Sequence, residues 1–301
     1  ESLPFYKGSE AQKRELLNLA IAYGYKNNII IKKSYIDNIE FLRGEALKET
    51  NIDEMIISYS EELGHNYFND KVPFSKLDTL FKTGTFNFTN HHFTDGHRTG
   101  ANVIQGFNMV VLDVDDGISL ETAKDVFKDY TYWMYTTKRH TATDNRFRIV
   151  LPISHVLKLS KEDFSKFMTN IYEWLPFNPD TSTKDCTRKW ATCATSEIFY
   201  NEGSLFDVMD YIPQTKKCEE MQNQRQNISS MSNLEAWLFR QMGEGNRNNL
   251  LLKYAYALVD NGYDQTSVHN AVMAFNSKLS KPLPEMEIMS TIMLSVAKKY
   301  A

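Results

Sequence analysis

Residues 110–117 read VVLDVDDG, an apolar run that leads into two aspartates at positions i and i+2. In a β-strand alternate side chains lie on the same face, so Asp113 and Asp115 point the same way, with Cα atoms about 7 Å apart. Two carboxylates on one face repel each other, and a bound cation, a nearby arginine or lysine, or solvent must offset the repulsion. The stretch therefore predicts a buried strand that ends in a carboxylate pair. Which group offsets the negative charge of that pair bears on function.

The segments that follow predict an α+β core, or mixed α/β. TYWMYTT (131–137) and RFRIVLPI (146–153) have strand composition, and the polar turn KRHTATDN between them makes the two a hairpin. Ser119 and Ser160 precede amphipathic patterns and are predicted to cap helices. The order strand, helix, hairpin, helix, strand predicts a mixed sheet near the split βαβ type.

Either side of this core the pattern is mainly helical. Residues 9–26 have the apolar spacing of an amphipathic helix, and mixed helical character continues to about residue 65. The polar segment 214–232 predicts a linker, and 233–301 predicts a small all-helical domain. The chain thus divides into a domain at 1–213, a linker and a helical C-terminal domain.

Composition limits the classes of protein to consider. The chain has 301 residues, of which 42% are hydrophobic and 13% aromatic, as in a globular protein. The net charge of -4 leaves nucleic-acid binding to a local basic surface. No apolar run approaches 18 residues, so no membrane span is predicted. The three cysteines, without a C-x-x-C, disfavour a disulfide framework or a cysteine-rich zinc site and fit a reducing cytoplasm.

A carboxylate pair at a strand end suits a metal site. Two-metal phosphoryl transfer uses carboxylates around two Mg²⁺ ions about 3.5–4 Å apart, and Mg²⁺ binds a few carboxylates together with phosphates and water. A solvated turn after a buried strand accounts for a lone pair of aspartates equally well. A phosphatase like the haloacid dehalogenases, with Asp113 as nucleophile, also has an apolar strand that ends in DxD.

The hairpin favours a site for metal and phosphate. Arg146 and Arg148 are at positions i and i+2 on the returning strand, so both guanidinium groups lie on one face, and bidentate arginine suits phosphate. Lys138 and His140 lie in the turn before them. A basic hairpin beside an acidic strand end supplies acids for the metal and bases for the phosphates.

Three stretches together resemble one known family. VVLDVDDG, then YTTKRHTATDNRFRIVLPI, then NPDTSTKDCTR are similar to the catalytic core of the archaeo-eukaryotic primase superfamily, in particular the primase-polymerase branch of phages and plasmids. The resemblance covers about residues 98–210. It implies an RRM-like mixed-sheet catalytic core within 1–213, preceded by an N-terminal α/β module.

The resemblance assigns roles to the acids. Asp113 and Asp115 would be ligands of two Mg²⁺ or Mn²⁺ ions, which makes them catalytic residues. Asp180, in the pair Pro-Asp, would be the third ligand, and Asp185 is a competitor five residues on.

The resemblance also assigns the basic residues. His140, in KRH, would be catalytic and contact the phosphates of the incoming nucleotide. Lys138 stands where the family usually has serine or threonine, and a lysine can itself reach a phosphate. Arg146, Arg148 and Arg188 would complete the nucleotide-binding set.

The C-terminal helices add to the resemblance. EGNRNNLLLKYAYALVDNGY, with KPLPEMEI further on, is similar to the helical domain that follows the catalytic core in many such primases and is implicated in primer initiation. Asn246, Arg247 and Asn248 lie at a helix start, which favours an anion. A capping sequence with one solvated arginine explains them equally well. Arg98 is a further candidate for contact with template or nucleotide.

The sequence therefore predicts a DNA primase-polymerase, a nucleotidyltransferase that copies a single-stranded DNA template from NTPs or dNTPs. A replicative helicase, in cis or in trans, is a possible partner, and no membrane partner is expected. The expected location is the cytoplasm, which is the host cytoplasm if a phage or plasmid encodes the chain. The alternatives are the metal-dependent phosphatase and a non-catalytic single-strand-binding module for replication initiation.

Overall fold

The computed structural model of the protein describes residues 47–115, 117–141, 144–228, 231–243 and 245–300. The helix predicted at 9–26 lies outside these residues. Within them, no helix is long and apolar enough to cross a bilayer.

Strands and helices are numbered here in chain order. The strands are β1 (Lys48–Glu49), β2 (Met55–Ser60), β3 (Phe68–Val72), β4 (Asn87–Thr89), β5 (His92–Phe93), β6 (Val103–Ile104), β7 (Phe107–Val114), β8 (Tyr132–Thr136), β9 (Phe147–Leu157), β10 (Trp190–Ala191) and β11 (Ile198–Asn201). The helices are α1 (Leu77–Phe81), α2 (Leu120–Phe127), α3 (Lys161–Trp174), α4 (Lys216–Asn227), α5 (Asn233–Gln241), α6 (Arg247–Asp260), α7 (Gln265–Ser277), α8 (Glu285–Glu287) and α9 (Leu294–Tyr300). A π-helical stretch, Ile288–Met293, joins the last two.

The strands form two main sheets. In the first, β9 pairs with β7, β8 and β1, and β11 pairs with β8; the second has the order β10-β4-β2-β3, and β5 pairs with β6. Every ladder between the described strands is antiparallel, and parallel pairing is confined to two isolated bridges, Tyr130 with Ser204 and Ile153 with Phe206. The α+β class is therefore confirmed, with the mixed character of the sheet limited to those bridges.

The prediction of helical character up to about residue 65 is wrong for the described part of that segment. Met55–Ser60 form β2, which pairs with both β3 and β4. Ile56 and Ile57 are β-branched and suit the pleated surface of a sheet. Pairing with strands distant in sequence supplies the contacts that the local pattern does not reveal.

Strand β7 is buried on both faces and separates two apolar cores. Val110, Leu112 and Val114 face a core that the helices cover. Met109 and Val111 face a second core between the two sheets, where Trp190 and other residues of the second sheet meet them. Because side chains alternate along a strand, Asp113 points with Met109 and Val111 toward the layer between the sheets.

Two serines begin the helices beside the first sheet, as predicted. Ser119 accepts a hydrogen bond from the backbone N–H of Thr122, and Ser160 accepts one from that of Asp163. These caps satisfy donors that have no partner inside the helix. The helices α2 and α3 that they start pack on the face of the sheet that carries Val110 and Leu112.

The C-terminal helices continue the larger core. Trp237, Leu251 and Phe275 belong to the same apolar cluster as the α2 and α3 side chains. Polar contacts join the two parts as well: Arg240 Nη2 donates to the carbonyl oxygen of Trp174 at 2.8 Å. Within the predicted linker 214–232, α4 forms a helix, and its Cys218 is buried. The domain boundaries themselves stay a prediction.

Candidate active site

The strand-end carboxylates face arginines on the neighbouring strand. In the β7–β9 ladder Asp113 lies directly opposite Arg148, and Arg148 Nε is 3.1 Å from Asp113 Oδ1. Beyond the strand end, Arg146 Nη1 is 3.0 Å from Asp115 Oδ1. The acids and the arginines have the same spacing of two residues, so each acid has a guanidinium partner. Arginine therefore offsets the repulsion expected between the carboxylates of Asp113 and Asp115.

The pair of Asp113 and Arg148 is buried and fixed. Their side chains are 7% and 14% exposed. Arg148 Nη1 also donates to the carbonyl oxygen of Ala191 at 2.7 Å and to the hydroxyl of Tyr135 at 3.3 Å. Burial opposes the charge of Arg148, but Tyr135 and Asp113 outweigh it and raise the pKa of the guanidinium. Arg148 is thus a permanent cation that orients Asp113.

Asp180 lies next to Asp113. Its backbone N–H donates to the carbonyl oxygen of Asp113 at 2.9 Å, and its carboxylate caps the 3₁₀ turn Thr181–Lys184. Arg188 Nη2 bridges the two acids, at 3.1 Å from Asp180 Oδ2 and 3.5 Å from Asp113 Oδ2. Burial raises the pKa of Asp180, but hydrogen bonds from Ser182 and the charge of Arg188 outweigh it, so the pKa falls below its ordinary value.

Asp185, the competing candidate, has different partners. Its Oδ1 accepts from the backbone N–H of Thr187 at 2.9 Å and from the Thr187 hydroxyl at 3.0 Å. Asp185 contacts Arg188 only through its backbone carbonyl oxygen, which accepts from the Arg188 backbone N–H at 2.9 Å. The carboxylate that shares the Arg188 guanidinium with Asp113 is therefore that of Asp180.

The hairpin turn holds His140 in a defined orientation. The backbone N–H of Arg146 donates to the ring nitrogen Nδ1 of His140 at 3.1 Å. The backbone N–H of His140 donates to the carbonyl oxygen of Thr137 at 3.0 Å. Lys138 is exposed at the same turn and has no ion-pair partner in the part of the chain that the structure describes. Lys138 and His140 are thus presented at the end of the sheet that carries Asp115.

A metal ion would have to compete with these arginines. Among the described residues, no three His, Cys, Asp or Glu side chains are grouped so that they could hold a metal ion. The chemistry of the donors nevertheless fits, because carboxylate oxygens are the ligands that Mg²⁺ prefers. Asp113 and Asp180 already share one guanidinium, and a divalent ion that displaced Arg188 would find both carboxylates in reach.

The two arginines that contact Asp113 also line a cavity of about 550 Å³. Four basic side chains line it, Arg98, Arg148, Arg188 and Lys189, with Asp185 as the acid of the lining. Burial and the charges of the three arginines lower the pKa of Lys189. Sequence reasoning missed Lys189, although the adjacent basic pair in TRKW is a signal that could have found it.

Comparison with known proteins assigns the C-terminal region. Residues 237–299 match the family model Primase C terminal 1 (PriCT-1). These helices resemble those of primases. The predicted resemblance of the C-terminal helices to a primase helical domain is thereby confirmed, and residues 237–299 are called the PriCT-1 segment below.

Other comparisons are more distant. Among solved structures, the AEP domain (PP-N190) of the cyanophage S-2L primase-polymerase aligns with a TM-score of 0.33 and 11% sequence identity, over 55% of this chain and 91% of that domain. No curated protein matches the sequence.

In the PriCT-1 segment, the three candidate initiation residues have local partners. Asn246 Oδ1 accepts from the backbone N–H of Gly243 at 2.8 Å, and Arg247 donates to the carbonyl oxygen of Lys281. Asn248 Nδ2 donates to Thr291 Oγ1 at 2.9 Å. These contacts fasten the start of α6 to neighbouring C-terminal segments, and none of them reaches the β7–β9 site.

Proposed function

We propose that this protein is a primase-polymerase, a nucleotidyltransferase that extends a strand on a single-stranded DNA template. The observation that carries the proposal is the cluster at the end of β7 and β9, where Asp113, Asp115 and Asp180 lie among arginines beside a cation-lined cavity. The PriCT-1 segment supports it, because a primase-associated domain occurs in the same chain.

Asp113, Asp115 and Asp180 would hold two divalent ions, although in the present arrangement they are paired with arginines and are not grouped as a metal site. Bound Mg²⁺ or Mn²⁺ would neutralise charge on the triphosphate and polarise the attacking 3′-hydroxyl. The chain contributes position: β7 fixes Asp113, and the backbone hydrogen bond from Asp180 to Asp113 fixes the third acid. Little is left for a protein base to do, because catalysis of this kind depends on positioning and charge neutralisation.

The hairpin would bind the triphosphate of the incoming nucleotide. Because Nδ1 of His140 accepts a backbone hydrogen bond, the neutral ring carries its proton on Nε2. That Nε2–H is a donor suited to a phosphate oxygen. Lys138 adds a mobile cation, and Arg146 can turn from Asp115 to phosphate once a metal neutralises the acid.

The decisive experiment is synthesis on circular single-stranded DNA with labelled nucleotides and Mg²⁺ or Mn²⁺, with and without an annealed primer. We expect products from the wild type and none from Asp113→Asn combined with Asp115→Asn. The matched control is Asp78→Asn, which removes a surface carboxylate that pairs with Lys82 at 3.1 Å within one helix.

Products without a primer would establish a primase, and products only with a primer would establish a polymerase that needs a pre-formed end. Synthesis that survives in the double variant would remove the site assignment. A folded protein that makes no product but releases phosphate from an aryl phosphate would favour the phosphatase. Mg²⁺-independent DNA binding without synthesis would favour the binding module.

A further inference from the structure

Two separate basic regions lie beside the carboxylates. The hairpin region comprises Lys138, His140 and Arg146, and Arg146 connects it to Asp115. The cavity is the second region. Its lining residues Arg148 and Arg188 contact Asp113, which is two residues before Asp115 in the sequence. A nucleotidyl transfer likewise joins two phosphate-bearing substrates, an incoming nucleotide and the molecule that supplies the attacking 3′-hydroxyl.

Two of the basic side chains that line the cavity are hydrogen-bonded to neutral acceptors. Lys189 Nζ donates to Asn87 Oδ1 at 2.8 Å, and Arg98 donates to the carbonyl oxygens of Leu63 and Thr187. These acceptors are neutral, so they hold the two cations in place without cancelling their charge. Neither Arg98 nor Lys189 forms an ion pair with a carboxylate in the described ranges.

The remaining charges of the cavity reduce this excess of positive charge but do not cancel it. Arg148 and Arg188 are paired with Asp113 and Asp180. Asp185, whose partner Thr187 is neutral, contributes one negative charge to the lining against the two positive charges of Arg98 and Lys189. The pKa of Lys189 is lowered by burial and by the neighbouring arginines, as expected where like charges are held together. An anion that entered the cavity would relieve that repulsion.

The chemistry of the lining identifies the class of anion. Guanidinium and ammonium groups suit phosphate oxygens, and a cavity of about 550 Å³ is larger than one phosphate requires. Two of its lining arginines, Arg148 and Arg188, contact Asp113 or Asp180, so a phosphate bound there would place the rest of its molecule near the proposed metal ligands.

Given the function proposed above, we propose that this cavity binds a phosphate of the substrate that supplies the attacking 3′-hydroxyl, with Lys189 and Arg98 as its ligands. The hairpin region then binds the triphosphate of the incoming nucleotide. The phosphate in the cavity belongs to a primer backbone during extension, or to the 5′-triphosphate of the first nucleotide during initiation.

The test compares charge removal in the two regions. Lys189→Met removes the charge of Lys189 from the cavity and keeps the length of the side chain. Lys189→Arg retains that charge. Lys138→Met removes one positive charge from the hairpin region. Lys71→Met is the control, because Lys71 is an exposed lysine on β3 of the second sheet, 3.7 Å from its partner Glu54. Each full-length variant is checked by thermal melting, then titrated with a labelled primed template and, separately, with nucleotide.

We expect Lys189→Met to weaken binding of the primed template about tenfold and to reduce its salt slope by about one, with nucleotide affinity unchanged. Lys189→Arg should restore binding, and Lys138→Met should lower nucleotide affinity instead. If Lys189→Met lowers only the yield of unprimed synthesis, and added initiating nucleotide restores it, the phosphate is that of the first nucleotide.

Two results would overturn the inference. One is loss of incoming-nucleotide affinity in Lys189→Met with strand binding and initiation intact. The other is no effect on any of these measurements. Neither result contradicts the proposed function. That proposal fails only if the wild type makes no product or if Asp113→Asn combined with Asp115→Asn retains synthesis. If Lys189→Met does not fold, Lys189→Gln provides the same loss of charge in a shorter side chain.

Discussion

Arg188 is the residue on which the state of the carboxylates depends. One nitrogen of its guanidinium lies within ion-pair distance of both Asp113 and Asp180. The place between these two acids is therefore already occupied by a positive charge. A divalent ion that binds there must displace an existing ion pair as well as shed its own water.

Replacing Arg188 by methionine should therefore strengthen divalent-ion binding. Without this guanidinium, Asp180 loses its ion pair and Asp113 keeps only Arg148, so the repulsion between the two carboxylates is less well offset and a bound metal ion would relieve it. We expect the apparent Kd for Mn²⁺, measured by electron paramagnetic resonance without nucleotide, to fall several-fold.

Lys184→Met is the matched control, because Lys184 is on the adjacent 3₁₀ turn with its Nζ 5.4 Å from the ring centroid of Tyr172. Unchanged Mn²⁺ affinity in Arg188→Met, or an equal change in the control, would contradict competition between the arginine and the metal.

At the scale of the element, the 3₁₀ turn Thr181–Lys184 positions Asp180. Thr183 is buried, its hydroxyl donates to the carbonyl oxygen of Asp180 at 2.7 Å, and it also contacts the hydroxyl of Tyr172. Burial raises the pKa of Tyr172 above its ordinary value, so the phenol stays protonated. The turn is thus tied to α3 by a chain of neutral hydrogen bonds.

Thr183→Val should loosen this turn. The substitution keeps the shape of the side chain but leaves the Tyr172 hydroxyl without this partner, and the Asp180 carbonyl keeps only the backbone N–H of residue 183. The expected cost is about 1–3 kcal/mol in the free energy of unfolding. We expect metal affinity to fall as well, because Asp180 loses its fixed position. Urea denaturation and Mn²⁺ titration measure the two effects.

The control is Thr79→Val, since the exposed Thr79 hydroxyl makes a similar local bond to the carbonyl oxygen of Lys76 at 2.6 Å. A loss of stability equal to that of the control would show that the buried network contributes nothing to the turn.

The sequence was most informative where signals were local. The apolar run at 110–114, the hairpin and the serine caps of two helices all depend on neighbouring residues, and the structure has each of them. The spacing of two residues in the acids and the arginines also predicted that each pair shares a face. It did not predict that the pairs face each other, since register depends on the whole ladder.

The cavity could not be predicted because its parts come from distant segments. Arg98 and Lys189 are far apart in sequence, and the fold joins them through the carbonyl of Thr187 and the side chain of Asn87. Likewise β2 gave no clear local signal, because its stability comes from pairing with β3 and β4. Nonlocal contacts of this kind leave no periodicity to detect.

At the scale of the whole molecule, the PriCT-1 segment packs against the first domain through charge as well as apolar contact. Lys253 Nζ on α6 is 3.1 Å from Asp125 Oδ2 on α2, and Thr122 donates to Asp260. Burial opposes ionisation of Asp125, but Lys253 and Lys128 outweigh it and lower the pKa of Asp125 below its ordinary value.

The contact between the two regions should therefore weaken in acid. A carboxyl group whose folded-state pKa is lowered contributes stability above its unfolded pKa and loses it as the pH falls through the folded pKa. We expect Asp125→Asn to lower the free energy of unfolding at pH 7 by about 0.2–1 kcal/mol, because the pair is half-exposed and screened. The difference from wild type should shrink as the pH falls below the ordinary carboxyl pKa of 3.8 and vanish below the lowered pKa of the folded state.

Urea denaturation of both proteins across this pH range checks the prediction, with Asp78→Asn as a control for a pair inside one helix. A difference that stays constant as the pH falls would show that Asp125 acts through its shape and not through its charge.

The two-sided burial of β7 has a consequence for how this site tolerates change. Its alternate residues fill two different cores, so a slip of one residue against β9 would exchange the two sets and separate both acids from their arginines. The turn between β8 and β9 does not set this register, but it holds His140 against the backbone N–H of Arg146. A change in its length would therefore move His140 while Asp113 keeps its place opposite Arg148, whereas a single deletion between Arg146 and Arg148 would misalign the charges of a strand that is otherwise well packed.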